Sequence, residues 1–281
     1  MELLWEIIQF GFFSGLIVLI SKKVLVKTLR DLAENLNLKP KTVGDISGVA
    51  TSVPELLTIS VSSFNGLIGA SIYNVLSSNI INFIQYMLAI ILNKNHKALK
   101  NKAIKVDIIL VLLTIILPIG LLFFKVRVNV VCIPIFLALY FFFRKINNNV
   151  HKLYLQKEDK EIEENLEAED RWERGNKSKA IKNFVVLLIT GIILFFIGNL
   201  LGNTLEILCN RFNISESVVG IVLGFVTSIP ELITFLESQK HHKNLQNDML
   251  GVIEATNNLL MSNLMNLFII QSIAVLGTVL A

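Results

Sequence analysis

The chain has 281 residues, a formal net charge of +4 and a mean hydropathy of +0.63, with 53% hydrophobic and only 17% charged residues. Soluble domains carry more charge than this, and the apolar residues fall in uninterrupted blocks about 18 or more residues long, the length that crosses a bilayer. This composition excludes a separate soluble domain, and lysine-rich short loops account for the net charge without a nucleic-acid partner.

Residues 3–20 form the first predicted span, read as retained because no small-residue cleavage site follows it. A basic run (Lys22, Lys23, Lys27, Arg30, Lys39, Lys41) leads to a less pure span over 42–63, and a third covers 69–92. Lys94, Lys97, Lys100, Lys102 and Lys105 precede apolar spans over 107–124 and 127–143. The segment 144–182 mixes both signs, as in "QKEDKEIEENLEAEDRWERGNKSK", and reads as a solvated charged helix linking two halves. Spans over 183–202, 214–237 and 249–279 complete a count of eight. The two cysteines, Cys132 and Cys209, lack the spacing of a disulfide framework or metal site.

Basic loops stay in the cytoplasm. The first, third, fifth and seventh connections carry most of the lysines, whereas the opposite side offers Lys125, Arg127 and Arg211. The termini are therefore expected outside and 144–182 inside, with the plasma membrane as the expected location.

Two stretches break the apolar pattern in the same way. "GVATSVPELLT" (48–58) matches "GFVTSIPELIT" (224–234), and "NVLSSNIIN" (74–82) matches "NLLMSNLMN" (258–266). Two matches in the same order indicate an internal repeat. The loop charges make the span carrying Glu55 run outward and the span carrying Glu231 run inward, so the repeat is inverted. Inverted repeats with interrupted helices and a midplane site describe many secondary transporters. The predicted architecture is all-α and polytopic. Residues 1–143 form a first repeat of five helices, 144–182 the cytoplasmic loop, and 183–281 a second repeat of three helices.

A carboxylate in the bilayer costs several kcal/mol unless it is paired or lines a wet cavity, so Glu55 and Glu231 are functional candidates by default. No Arg or Lys sits at similar depth to pair them. Pro54 and Pro230 each remove a backbone donor, freeing the carbonyls of Ala50 and Val226. Thr51 with Glu55, Ser78 with Asn82, Thr227 with Glu231 and Ser262 with Asn266 are each four residues apart, on one helix face. Carboxylates, amides and hydroxyls are the oxygen donors that hard cations such as Ca²⁺ take. Ser52, Ser78, Ser228 and Ser262 serve close helix packing equally well, and Asn79 and Asn263 can be interhelical glue rather than ligands. Asp45 is expected near the inner boundary, and Glu254 as a snorkelling interfacial acid in preference to a residue lining an inner entrance. His241 and His242 are expected in a polar connector. No nucleophile–base set indicates an enzyme.

At these residues the sequence resembles the cation/calcium exchanger superfamily, which contains the sodium/calcium exchangers. The resemblance rests on "ATSVPE" with "YNVLSSNIIN" and on "VTSIPE" with "NNLLMSNLMN", and it spans about 1–145 and 183–281. It implies alternating-access exchange of Ca²⁺ for Na⁺ or H⁺, the ions being cargo, with no cofactor. Glu55 and Glu231 would be the central carboxylates. Thr51, Ser52, Ser78, Asn82, Thr227, Ser228, Ser262 and Asn266 would line the ion sites. The family pattern has glycine where Ala50, Val226, Tyr73, Ser77, Asn257 and Met261 stand, and often aspartate where Asn266 stands. It also has five spans per repeat, two more than the second repeat here. These departures motivate an alternative: a degenerate exchanger-like membrane protein that binds a cation structurally or serves as a partner subunit. The lipid bilayer is the expected surrounding, and a homo-oligomer is compatible with the sequence.

Overall fold

The computed structural model describes residues 2–35, 38–124, 128–154, 177–244 and 247–280, and among these there is no β-strand. The charged helix expected in the inward loop falls largely on 155–176, outside the described residues. The helices are α1 (Glu2–Ile20), α2 (Lys27–Asn35), α3 (Pro40–Thr51), α4 (Val53–Phe64), α5 (Ile68–Leu92) and α6 (Lys102–Phe123). They continue with α7 (Cys132–Tyr154), α8 (Lys177–Asn210), α9 (Glu216–Thr227), α10 (Ile229–Asn244), α11 (Asp248–Leu264) and α12 (Gln271–Leu280). A π-helical turn at Ser21–Val26 joins α1 to α2, and another at Met265–Ile270 joins α11 to α12.

Local chemistry sets several of these boundaries. Pro40 opens α3, where its missing N–H would have been unsatisfied in any case. The side chains of Asn101, Ser215 and Asn247 accept from backbone N–H groups and cap α6, α9 and α11.

Among the described residues six segments are long and apolar enough to cross a membrane: Glu2–Leu29, Ile68–Leu92, Lys102–Phe123, Ile181–Asn210, Glu216–Lys243 and Asp248–Gly277. The other two expected spans are helical as well, as α3 with α4 and as α7. The expected start of the inward loop at 144 lies inside α7, which continues to Tyr154. The reason is that the polar residues of this last stretch are paired within the fold. Arg144 donates twice to Asp45 at 2.8 Å, with Lys41 adding a third bond at 3.0 Å. His151 lies 2.6 Å from Asp107.

The two repeats are interleaved. α3 packs along α11 and α9 packs along α5, so the first broken helix of each half lies on the second motif helix of the other. Glycine makes both contacts. A Cβ on Gly48 would stand 2.6 Å from Asn258 O and 2.7 Å from Met261 Cβ, and one on Gly224 would strike Ser77 and the Asn74 carbonyl. Larger residues on α5 and α11 are thus accommodated by glycine on the facing helix. The segment around α11 is 78% buried and forms the centre of the molecule, whereas the α1 segment is 17% buried and lies at the periphery.

Candidate cation site

The site is built on two helix breaks. Pro54 and Pro230 lack the N–H that would continue the ladder, and the interruption is confined to one residue in each repeat. Ser52 has φ −79° and ψ −1°, and Ser228 has φ −81° and ψ 0°. The N–H groups of Ser52 and Ser228 bond the carbonyls of Gly48 and Gly224, each at 3.3 Å, and the prolines give no N–H to the carbonyls of Ala50 and Val226. Glu55 and Glu231 therefore sit in the first turn of α4 and α10, where the positive end of the helix dipole favours negative charge.

Both glutamates are completely buried, as are Ser78, Asn82, Ser228, Ser262 and Asn266. Glu231 Oε1 accepts from Ser262 Oγ at 3.1 Å. Ser262 Oγ in turn lies 3.0 Å from Ser52 Oγ and accepts from Asn82 Nδ2 at 3.3 Å. Thr51 faces Glu231 across the repeats, as Thr227 and Ser228 face Glu55, and the two carboxylates are close enough to repel each other. Thr51 Oγ1 also lies 3.5 Å from Asn258 Oδ1, and Thr227 Oγ1 donates back to Leu223 O at 2.9 Å.

Two of the expected residues are held by groups other than the carboxylates. Ser78 donates to Asn74 Oδ1 at 3.1 Å, and Asn74 Nδ2 is held by Thr58 at 2.9 Å. Asn266 donates its amide to Asn79 Oδ1 at 3.2 Å. The pseudo-symmetric carboxylates are consequently unequal: Glu231 has one oxygen engaged, whereas both oxygens of Glu55 lack a hydrogen-bond partner. Glu231 Oε2, Asn82 Oδ1, Asn266 Oδ1 and Ser228 Oγ lack one too. Leaving buried acceptors unpaired costs about 1–3 kcal/mol each, more when they are charged. A hard cation supplies what such a set wants, since Ca²⁺ takes roughly six to eight oxygens. Among the described residues no three His, Cys, Asp or Glu side chains group together, so the donors here are two carboxylates and neutral oxygens. A separate cavity of about 500 Å³ is walled by Ile68, Val75, Pro118, Phe136 and Leu267, and its apolar lining suits no hard ion.

Other polar residues behave differently from their sequence reading. Glu254 is not an interfacial acid: it is 2% exposed, accepts from Ser238 at 2.7 Å and lies 3.0 Å from His242. His242 is not a connector residue but a buried side chain on α10. Both differences follow from α10 continuing about two turns further than its apolar run and packing against α11. Asp45, expected near the inner boundary, is paired by Arg144 from α7.

Sequence reasoning missed the cluster of Asp107, Asn147, His151 and Asn257. Asn147 Nδ2 donates to Asp107 Oδ1 at 2.8 Å and to Asn257 Oδ1 at 3.2 Å, linking α6, α7 and α11. The available signal was the lone acid at the head of an otherwise uncharged span, which requires a partner. Thr114 on α6 was missed as well. It contacts both Asn79 and Asn263, and no motif marks it.

Comparison with known proteins agrees with this fold. A family model described as sodium/calcium exchanger protein matches residues 7–146 and 182–280. Among solved structures, the chain is similar to the sodium-calcium exchanger NCX_Mj soaked with 10 mM Na⁺ and zero Ca²⁺, with a TM-score of 0.55 and 20% identity over 96% of this chain and 82% of that one. It is similar as well to NCX_Mj soaked with 2.5 mM Na⁺ and 10 mM Sr²⁺, with a TM-score of 0.54 and 20% identity over 97% and 83%. No curated protein matches it. The matched segments take in both copies of both motifs and all four helices around the carboxylates, and so this chain is an integral membrane protein that belongs to the sodium/calcium exchanger family.

Proposed function

We propose that the protein is a secondary antiporter that exchanges Ca²⁺ for Na⁺ or H⁺ by alternating access at Glu55 and Glu231. The observation that carries this reading is the set of six buried oxygens without hydrogen-bond partners, from Glu55, Glu231, Asn82, Asn266 and Ser228. Two facing carboxylates in a low dielectric repel unless a cation or protons neutralise them. Ca²⁺ on one side and Na⁺ or protons on the other are competing ways to do so, and that competition couples the two fluxes. The inverted arrangement gives the site equivalent walls toward the two membrane faces, as rocking transporters require. Thr51, Ser52, Ser78, Thr227, Ser228 and Ser262 complete the proposed lining.

With the lysine-rich loops inside, the N-terminus lies outside and the plasma membrane is the proposed location. The test is Ca²⁺ uptake into vesicles containing the purified protein, driven by an imposed Na⁺ or pH gradient. Uptake should follow one of the gradients and vanish in Glu55→Gln and Glu231→Gln. Gradient-independent Ca²⁺ binding without uptake would instead support a cation-binding subunit.

A further inference from the structure

We propose that Asn79 and Asn263 are positioning residues that lock the amides of Asn266 and Asn82 in the one orientation that turns a carbonyl oxygen to the cation. The inference rests on the exchanger reading and assigns a task to two residues outside the proposed ligand set. An asparagine amide has an oxygen end and an NH₂ end of similar size, so packing alone does not decide which end faces a neighbour. Hydrogen-bond partners that can act in only one sense decide it.

The first chain of logic starts at a backbone carbonyl, which can only accept. Asn263 Nδ2 lies 3.2 Å from Asn79 O and 3.3 Å from Thr114 Oγ1. Thr114 has used its single proton on Val111 O at 2.6 Å, so its hydroxyl is an acceptor too. Asn263 must therefore place its NH₂ there and its Oδ1 on the opposite side, where Asn82 Nδ2 lies 3.3 Å away. Asn82 Nδ2 also reaches Ser262 Oγ, whose proton goes to Glu231. With both neighbours accepting, Asn82 can only present its NH₂ to them. Its remaining atom, Oδ1, is buried and has no partner.

The second chain repeats the first in the other half. Asn79 Nδ2 donates to Asn263 O at 3.3 Å and to Thr114 O at 3.4 Å. The Thr114 carbonyl is available because Pro118, four residues on, has no N–H to give it. Asn79 Oδ1 accepts from Asn266 Nδ2 at 3.2 Å, which leaves Asn266 Oδ1 buried and unpartnered. The two carbonyl oxygens are thus fixed from carbonyls that lie outside the site. A flipped amide would present partially positive hydrogens to the cation in place of an oxygen ligand.

The experiment is Ca²⁺ titration of the purified full chain by calorimetry in detergent. Asn263→Ala and Asn79→Ala should each raise the Ca²⁺ dissociation constant on the order of tenfold. The decisive variant is Asn82→Asp, whose carboxylate has oxygen at both ends and no orientation to lose. Adding Asn263→Ala to Asn82→Asp should weaken binding no further, whereas loss of mere packing would weaken both backgrounds equally. Equal loss in the two backgrounds, or unchanged affinity in both alanine variants, overturns the lock. Should the alanine variants fail to fold, Thr114→Val removes one acceptor from Asn263 and carries the same test. It is expected to weaken binding several-fold with Asn82 and leave it unchanged with Asp at that position. A wild type that binds neither Ca²⁺ nor Na⁺ sinks the exchanger reading itself, and the lock with it.

Discussion

Ser262 Oγ lies 3.1 Å from Glu231 Oε1, while Ser78, its counterpart in the first repeat, donates to Asn74 and leaves Glu55 without a hydrogen-bond partner. The two acids of an inverted pair are therefore chemically distinct. Ser262→Ala should weaken Ca²⁺ binding on the order of tenfold, the size of a lost charge-assisted hydrogen bond. Ser78→Ala should do so only a few-fold. Calorimetric titration of the two variants side by side checks the asymmetry, and equal effects would contradict it.

The interleaved packing makes a prediction about stability. Gly48→Leu would drive a side chain into the Asn258 carbonyl and Met261, and Gly224→Leu would drive one into Ser77 and Asn74. Overpacking of this kind costs about 1–3 kcal/mol or more. Thermal unfolding in detergent should show both variants destabilised. Leucine at Gly11 or Gly15, where a Cβ meets nothing, should leave unfolding unchanged.

Asp107 is completely buried and held by His151 and Asn147. Removing a hydrogen-bond partner from a buried acceptor costs about 1–3 kcal/mol, and more when the acceptor is a carboxylate. His151→Ala should therefore lower the thermal midpoint strongly while leaving the affinity of any remaining folded protein for Ca²⁺ within a few-fold of wild type. A large affinity loss at unchanged stability would place His151 in the ion path instead.

Pro230→Ala restores a donor for the Val226 carbonyl and lets α9 and α10 run on as one helix. Pro230 stands in the first turn of α10, where proline is tolerated, so the variant should be about as stable as wild type. Exchange should nonetheless slow, because the break at Ser228 sets the direction of Glu231. Parallel measurement of unfolding and vesicle uptake separates the two effects.

Much of this was legible in the residues. The repeat, its inversion and the pairing of Glu55 with Glu231 follow from motif order and loop charge, because hydropathy and lysine position respond to the bilayer itself. Partners brought together only by folding were not legible. Asp107 and His151 are 44 positions apart, and no periodicity connects them. Glu254 was read as interfacial and His242 as a connector residue because the polar stretch after the apolar run hid about two further helical turns. Asn257 and Met261 looked like intrusive bulk where glycine was expected. The relief comes from Gly44 and Gly48 on a helix more than two hundred residues earlier in the chain.

That reciprocal seating bears on how the two copies of the duplication can diverge. When a residue on α5 or α11 grows, room for it has to be found in the other copy, at a position no alignment of a copy with itself would single out. The halves are thus bound to change in step, as the two sides of a zip must keep the same pitch.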